Sequence, residues 1–373
     1  MRANAIEDEV RALREGAGVC RREERAVLRL LGADRVRFLN GMVTNDVSTL
    51  TPGQGLVAIK TTQKGRIEGV LRVRALEDAF EIDVEGSVKN RILSSFDRLI
   101  IMDDCSIAEH PDAFAVISVL GPRGDAVLEA AGYKHRPASS YAFVQAPDGV
   151  VIVRDDSLGV VGYDLHIPQT TQASQASQAS QRTEATQATS SSEQTLETAL
   201  GTVSRGAPKP DELLARVVAS GGHRVSTDAL NVLRVEAGRP RDGVDLEEDT
   251  LPMEARLEDA ISMTKGCYVG QEVIARATNL GGIKHILVGL RFGPASKSIP
   301  ERGAILRMAS DGRETGHLTS AVFSFALNEV IALGYVRKAD DAPGTRLLVE
   351  TGDGSQVEAT LSPLPFLPPA SAL

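Results

Sequence analysis

Apolar positions along the chain follow two rhythms. Over the first 168 residues they come mostly in short runs broken by Gly, Pro, Asn and Asp. These predict strands over 26–31, 56–59, 67–73, 80–84, 114–120, 150–153 and 162–167. The second and third would pair across the turn at Gln63, Lys64 and Gly65. Elsewhere the spacing becomes helical. Val88, Ile92 and Phe96 share one face of a helix over 87–98. Shorter helices are expected over 35–40, with Asp34 as cap and Gly41 as stop, and over 123–131 behind Pro122. Further helices fall over 213–218 and 227–237. In the second, Ser226 or Thr227 caps, Leu230, Leu233 and Ala237 face the core, and Gly238 and Pro240 stop it. Strands over 286–292, 304–308, 330–336 and 346–350, separated by turns, suggest a small C-terminal β-barrel. Strands with helices packed against them in this order make the class α+β.

The stretch 169–210 breaks both rhythms. It opens on a three-residue Gln-Ala-Ser repeat and continues in Thr, Ser, Gln and Glu. With almost nothing apolar to bury, it cannot offset the entropy of ordering and is expected to be a disordered insertion. The divisions that follow are an N-terminal arm (1–19), two halves of one domain (20–168 and 211–283), the barrel (284–365) and a tail (366–373).

Bulk properties narrow the function. The formal net charge of −9 argues against a nucleic-acid partner, which calls for a basic face. No apolar stretch approaches the ~20 residues that span a bilayer. The N-terminus lacks the features of a leader, so a cytoplasmic location is expected. Three cysteines, far apart, exclude a disulfide framework and a tetrahedral zinc site, and no metal is expected. None of the six histidines falls in a catalytic or metal-binding pattern.

The densest chemistry lies in Lys265-Gly266-Cys267-Tyr268-Val269-Gly270-Gln271-Glu272. A thiol here sits beside a cation and ahead of a helix-compatible run. If the helix starts near Val269 or Gly270, its free N–H groups and Lys265 both favour the thiolate of Cys267. The alternative is a small cysteine packed at a tight turn. Tyr268 could stack on a flat ligand or pack in the core.

That octapeptide resembles the signature of the YgfZ-like folate-binding proteins, relatives of the glycine cleavage T-protein (aminomethyltransferase). Five further segments resemble the same superfamily: 38–47, 233–240, 251–255 and the two barrel runs 316–320 and 331–336. The resemblance implies tetrahydrofolate, or another folate, in a pocket between the two halves of residues 20–270. It implies Glu254 as the carboxylate that accepts the pterin's paired N–H groups. It also brings Asn45, Asp46, Tyr268, Gln271 and Arg276 to the pocket and makes Cys267 the functional thiol, with Lys265 beside it. Redox sensing, transient disulfide exchange and contact with a cluster are all open to that thiol. Asn45 and Asp46 can equally be turn formers, and Glu254 one more acid in an acidic stretch. T-proteins carry a transferase acid after the first-domain hairpin. Here Gly69 or Val70 falls at that position, with Glu68 one step away and so on the opposite face of the strand. The resemblance therefore implies a folate-binding accessory protein for iron–sulfur assembly, with assembly factors or client enzymes as partners. The alternative is a true aminomethyltransferase.

Overall fold

The computed structural model describes residues 2–110, 114–169, 207–280, 282–294, 296, 298–352 and 354–368. Helix α1 (Arg2–Glu15) opens the chain and leads into β1 (Gly18–Arg21). The segment expected as an N-terminal arm packs into the fold, with Val10, Leu13 and Val19 buried. Strands β2 (Arg25–Leu31), β3 (Gly55–Thr61), β4 (Ile67–Ala75), β5 (Ala79–Glu85) and β6 (Ser106–Glu109) form the first sheet, in the order β3-β4-β5-β2-β6. Helices α2 (Arg35–Met42) and α3 (Lys89–Asp97) cover it, burying Phe38, Leu39, Ile92 and Phe96 against Leu71, Val73 and Ile82. Helix α2 runs through Gly41 to Met42, one residue beyond the expected stop. Asp34 does not cap it, since its carboxylate accepts the Asp104 N–H at 2.8 Å.

The second sheet takes β7 (Phe114–Leu120), β8 (Phe143–Gln145), β9 (Val151–Arg154) and β10 (Gly162–Pro168), with helix α4 (Gly124–Ala130) on one side. Residues 170–206, most of the expected insertion, lie outside the described residues. Helix α5 (Pro210–Ala219) follows, with a proline at its first position. Strand β11 (His223–Arg224) then joins the second sheet beside β1, so this sheet draws on both halves of the chain. Helix α6 (Thr227–Glu236) is capped by Ser226, whose hydroxyl accepts the Ala229 N–H, and helix α7 (Gln271–Leu280) comes later.

Six strands close the C-terminal barrel: β12 (His285–Arg291), β13 (Ile305–Met308), β14 (Glu314–Ser324), β15 (Glu329–Arg337), β16 (Arg346–Glu350) and β17 (Gln356–Ser362). The apolar rhythm had not marked β14 or β17, whose many polar residues leave short apolar runs. The barrel's outer face packs on α6, with Leu287, Ile331 and Leu333 in one core with Leu230 and Leu233. A buried polar knot sits at the same joint. Arg234 pairs with Asp245 at 2.6 Å, and Asp245 accepts the hydroxyls of Thr319 (2.6 Å) and Ser320 (2.7 Å).

The two sheets are also joined by buried charge. Arg74 on β4 donates to Glu81 at 2.8 Å and lies 3.2 Å from the His166 ring on β10. Burial pushes His166 down to about 3, so it is neutral and adds no further cation. Each charge here has a partner, as burial demands.

Candidate functional site

The signature loop is stitched to the end of α2. The Lys265 ammonium donates to the carbonyls of Asn40 (2.6 Å), Val43 (2.8 Å) and Asn45 (2.8 Å). Those are carbonyls that a helix end and its following turn leave without partners. A lysine has three N–H donors, and all three are used. Burial pulls its pKa down to about 8, while the charge of Asp46 works against that shift. The far side of the loop is held as well: the Val269 N–H donates to Gly41, and the Thr61 hydroxyl donates to the Val269 carbonyl. Gly270 sits at φ 85°, where a β-carbon would meet the Thr62 carbonyl at 2.5 Å, so only glycine fits.

This geometry corrects the expected thiolate trap. Lys265 is committed to carbonyls and is a structural staple. Helix α7 begins at Gln271, four residues past Cys267, beyond the first-turn reach of a helix dipole. What the fold gives Cys267 is exposure. Cys20, by contrast, is buried and its thiol is pushed up to about 11.

Other expected pocket residues are used elsewhere. Asn45 donates its amide to the Val57 carbonyl at 2.8 Å and accepts the Asp46 N–H at 2.9 Å. Asp46 caps the short turn that follows, accepting the Ser48 N–H at 3.1 Å. Both are therefore the turn formers of the alternative reading. Tyr268 packs beside Val273 and Ile274, with the Lys265 ammonium 5.3 Å from its ring centre. Arg276 pairs with Glu272 on the exposed face of α7, and Gln271 opens that helix. None of these lines the central cavity.

Glu254 is likewise spent on backbone. One oxygen accepts the Leu251 N–H at 3.0 Å, and the other accepts those of Lys284 (3.3 Å) and His285 (3.4 Å). It borders a second cavity of about 440 Å³ beside the barrel, with Arg66, His317 and Tyr335. It fastens its loop to β12 and leaves no paired acceptor free for a pterin edge.

The central cavity, of about 300 Å³, lies between β4, α6 and the loop after α6. Val57, Val70, Leu230 and Leu257 give it apolar walls, and Tyr141, held at φ 64°, adds an aromatic one. Most of its charges are paired. Arg22 is bonded to Glu24, Arg72 to Asp155 at 3.0 Å, and Arg239 to Asp259 at 2.8 Å. Two lining groups differ. The Arg241 guanidinium makes no hydrogen bond or ion pair among the described residues. Asp242 is buried, and its Oδ2 accepts the Val70 N–H at 3.0 Å while its Oδ1 has no partner. Burial, joined by the negative charge of Glu85, pushes Asp242 up to about 6; Arg91 and Arg25 pull the other way.

The hairpin itself offers no acid to this space. A register shift opposite Lys60 and Thr61 inserts Glu68 into β4. Its carboxylate turns to Lys60 (2.9 Å) and Ser95 (2.8 Å) on the α3 side. Gly69 also faces α3, since a β-carbon there would meet Ile92 at 3.0 Å. The residue of this stretch that lines the cavity is Val70. Glu68 was expected away from the pocket on strand alternation alone; the bulge is the actual cause.

Sequence reading passed over Arg72, Tyr141, Arg239, Arg241 and Asp242. The run Arg239-Pro240-Arg241-Asp242 directly after a helix stop was the available signal. Among the described residues, one group has metal-ligand composition: Asp83, Asp164 and His166. Arg25 already holds Asp83 at 2.9 Å and Arg74 faces His166, so the positive charge there is supplied by the protein.

Two outcomes follow from this geometry. Lys265→Met should destabilise the fold by roughly 2–4 kcal/mol in urea unfolding, by orphaning three carbonyls. The alkylation rate of Cys267 in the folded protein should stay the same. A large drop in that rate would restore Lys265 as the thiolate's partner. Asp242 binds its proton more tightly folded than unfolded, so its ionisation opposes folding. That penalty is absent below its ordinary value of 3.8, grows as pH rises through about 6, and is complete above it. Asp242→Asn should therefore raise stability at neutral pH by about 1–3 kcal/mol and change it little in acid. Equal effects at both pH values would remove the buried charge.

Comparisons with known proteins agree with the two-part architecture. The model of the GCVT N-terminal domain matches residues 2–197, and that of the glycine cleavage T-protein C-terminal barrel domain matches 286–367. An aminomethyltransferase of Rubrobacter xylanophilus is 26% identical over 97% of this chain and 86% of its own length. The tRNA-modifying protein YgfZ of Yersinia enterocolitica is 26% identical over 91% of this chain and 90% of its own. The crystal structure of glycine cleavage system aminomethyltransferase T from Bartonella henselae shares the fold, with a TM-score of 0.78 over 98% of this chain and 90% of that one, at 21% identity. By its two matched domains, its relatives and its signature loop, the chain belongs to the glycine cleavage T-protein superfamily as a YgfZ-like member.

Proposed function

We propose that the central cavity binds a reduced folate, and that the chain is a folate-dependent accessory protein for iron–sulfur cluster assembly or repair. The observation that carries this over aminomethyl transfer is Val70. Neither β4 residue that lines the cavity, Val70 or Arg72, has a carboxyl, and the neighbouring Glu68 is held on the other side by Lys60 and Ser95.

The residues present fit a folate. Val57, Val70, Leu230, Leu257 and Tyr141 offer a flat ring apolar and aromatic contact. Asp242 Oδ1 is an acceptor without a donor. Arg241 is a cation without a partner among the described residues, suited to a glutamyl carboxylate. When bound, a reduced folate would supply nitrogens able to carry one-carbon units. Cys267, exposed at the signature loop, is the group through which a client or assembly factor would be reached, by thiol exchange or by contact with a cluster. The iron–sulfur role rests on the likeness of residues 265–272 to the YgfZ branch. Direct action on tRNA, which that branch's name suggests, is disfavoured by the net charge of −9.

Tetrahydrofolate at a hundredfold excess over its Kd should stabilise the chain by about 2.7 kcal/mol and raise its Tm accordingly. Ammonia release from an aminomethyl-lipoyl carrier should stay at background. Failure of any folate to raise Tm would count against the cavity, and folate-dependent ammonia release would make the chain a transferase. Cys267→Ser should keep the Tm shift and lose support of iron–sulfur enzymes in a deletion strain.

A further inference from the structure

Asp242 is placed to do more than fill the cavity wall. Its carboxylate is buried, and Oδ2 is already bonded to the Val70 N–H. That leaves Oδ1 as a single acceptor with no donor. An amide N–H beside an exocyclic amine, the edge common to every pterin, calls for both oxygens of a carboxylate in one plane. In Asp242 one oxygen is already engaged by Val70, and only Oδ1 is without a donor among the described residues. It matches a ligand that presents one N–H. The saturated ring nitrogens of a tetrahydropterin carry such hydrogens, whereas in fully oxidised folic acid the same nitrogens are bare acceptors that face a carboxylate with repulsion.

We propose that Asp242 Oδ1 is the redox-state selector of the cavity: one buried acceptor that takes an N–H from a saturated ring nitrogen, admitting the reduced pterin and rejecting the oxidised one. The inference rests on folate occupying the cavity. It extends that reading by assigning discrimination to a residue of the loop after α6, with none on the hairpin.

The surroundings set when the selector works. Glu85 on β5 opposes its ionisation, while Arg91 on α3 and Arg25 on β2 support it. Arg72 on β4 is paired with Asp155, and Arg241 adjoins Asp242 in the chain. The acceptor is charged above about pH 6 and protonated below it. Once protonated, Oδ1 or its hydrogen can face an acceptor nitrogen as well as a donor, so discrimination fades.

The test is calorimetric titration of the full chain with tetrahydrofolate and with folic acid, well above and well below pH 6, on the native protein and on Asp242→Asn. The native protein should prefer tetrahydrofolate by at least about tenfold at the higher pH and lose most of that preference at the lower. Asp242→Asn, which can turn an amide N–H to the cavity, should show a small preference at both. Tetrahydrofolate binding with the same preference in the variant, or a preference in the native protein that ignores pH, would overturn the selector and leave the folate cavity standing. Binding of neither folate would overturn both. The pH series on the native protein keeps the question decidable if the variant fails to fold.

Discussion

One hydrogen bond determines what the central cavity can be. The Val70 N–H of β4 donates to Asp242, which lies past the end of α6, and so joins the first sheet to the second half of the domain. It holds a buried carboxylate in the cavity wall and occupies only one of its oxygens. The other oxygen then has no partner among the described residues, and the ionisation of Asp242 works against folding. A group kept at such a cost is what a binding site looks like in thermodynamic terms. The apolar walls, the paired arginines and Arg241, which has no partner among the described residues, surround that carboxylate.

The fold was far more legible than the site. Strands β2 to β5, β7, β10, β12 and β15, and helices α3 and α6, announce themselves by runs or spacing of apolar residues that the structure buries. What the pattern missed has plain causes. Helix α1 carries many charges, and only Val10 and Leu13 of its stripe are deeply buried. Strand β14 interleaves His317, Thr319 and Ser320 with its apolar positions, because those side chains serve the knot at Asp245 or face a cavity.

Site residues were misjudged for a different reason. A sequence shows which groups could act but not which are already satisfied. Lys265, Glu254, Asn45 and Asp46 all have the chemistry to bind a ligand, and each is consumed by backbone partners. Asp242 is one of several acids that follow α6, with Asp245, Glu247, Glu248 and Asp249. It is set apart by an absent partner, which no local pattern records. Even the turned-away Glu68 depended on a bulge that could not be read from strand alternation.

The loop of residues 265–272 and the cavity emerge as separate devices within one superfamily fold. The loop is a rigid mount, stapled to α2 by Lys265, that presents Cys267 to solvent. The cavity is a ligand chamber without a hairpin acid. The chamber holds a carboxylate with one oxygen awaiting a donor. The most direct measurement is the infrared difference spectrum of the native protein against Asp242→Asn, titrated with and without tetrahydrofolate. A carboxyl band should titrate near pH 6 in the free protein and at lower pH once the ligand supplies an N–H. A midpoint in the ordinary carboxylate range, or one that tetrahydrofolate leaves unchanged while it binds, would contradict it.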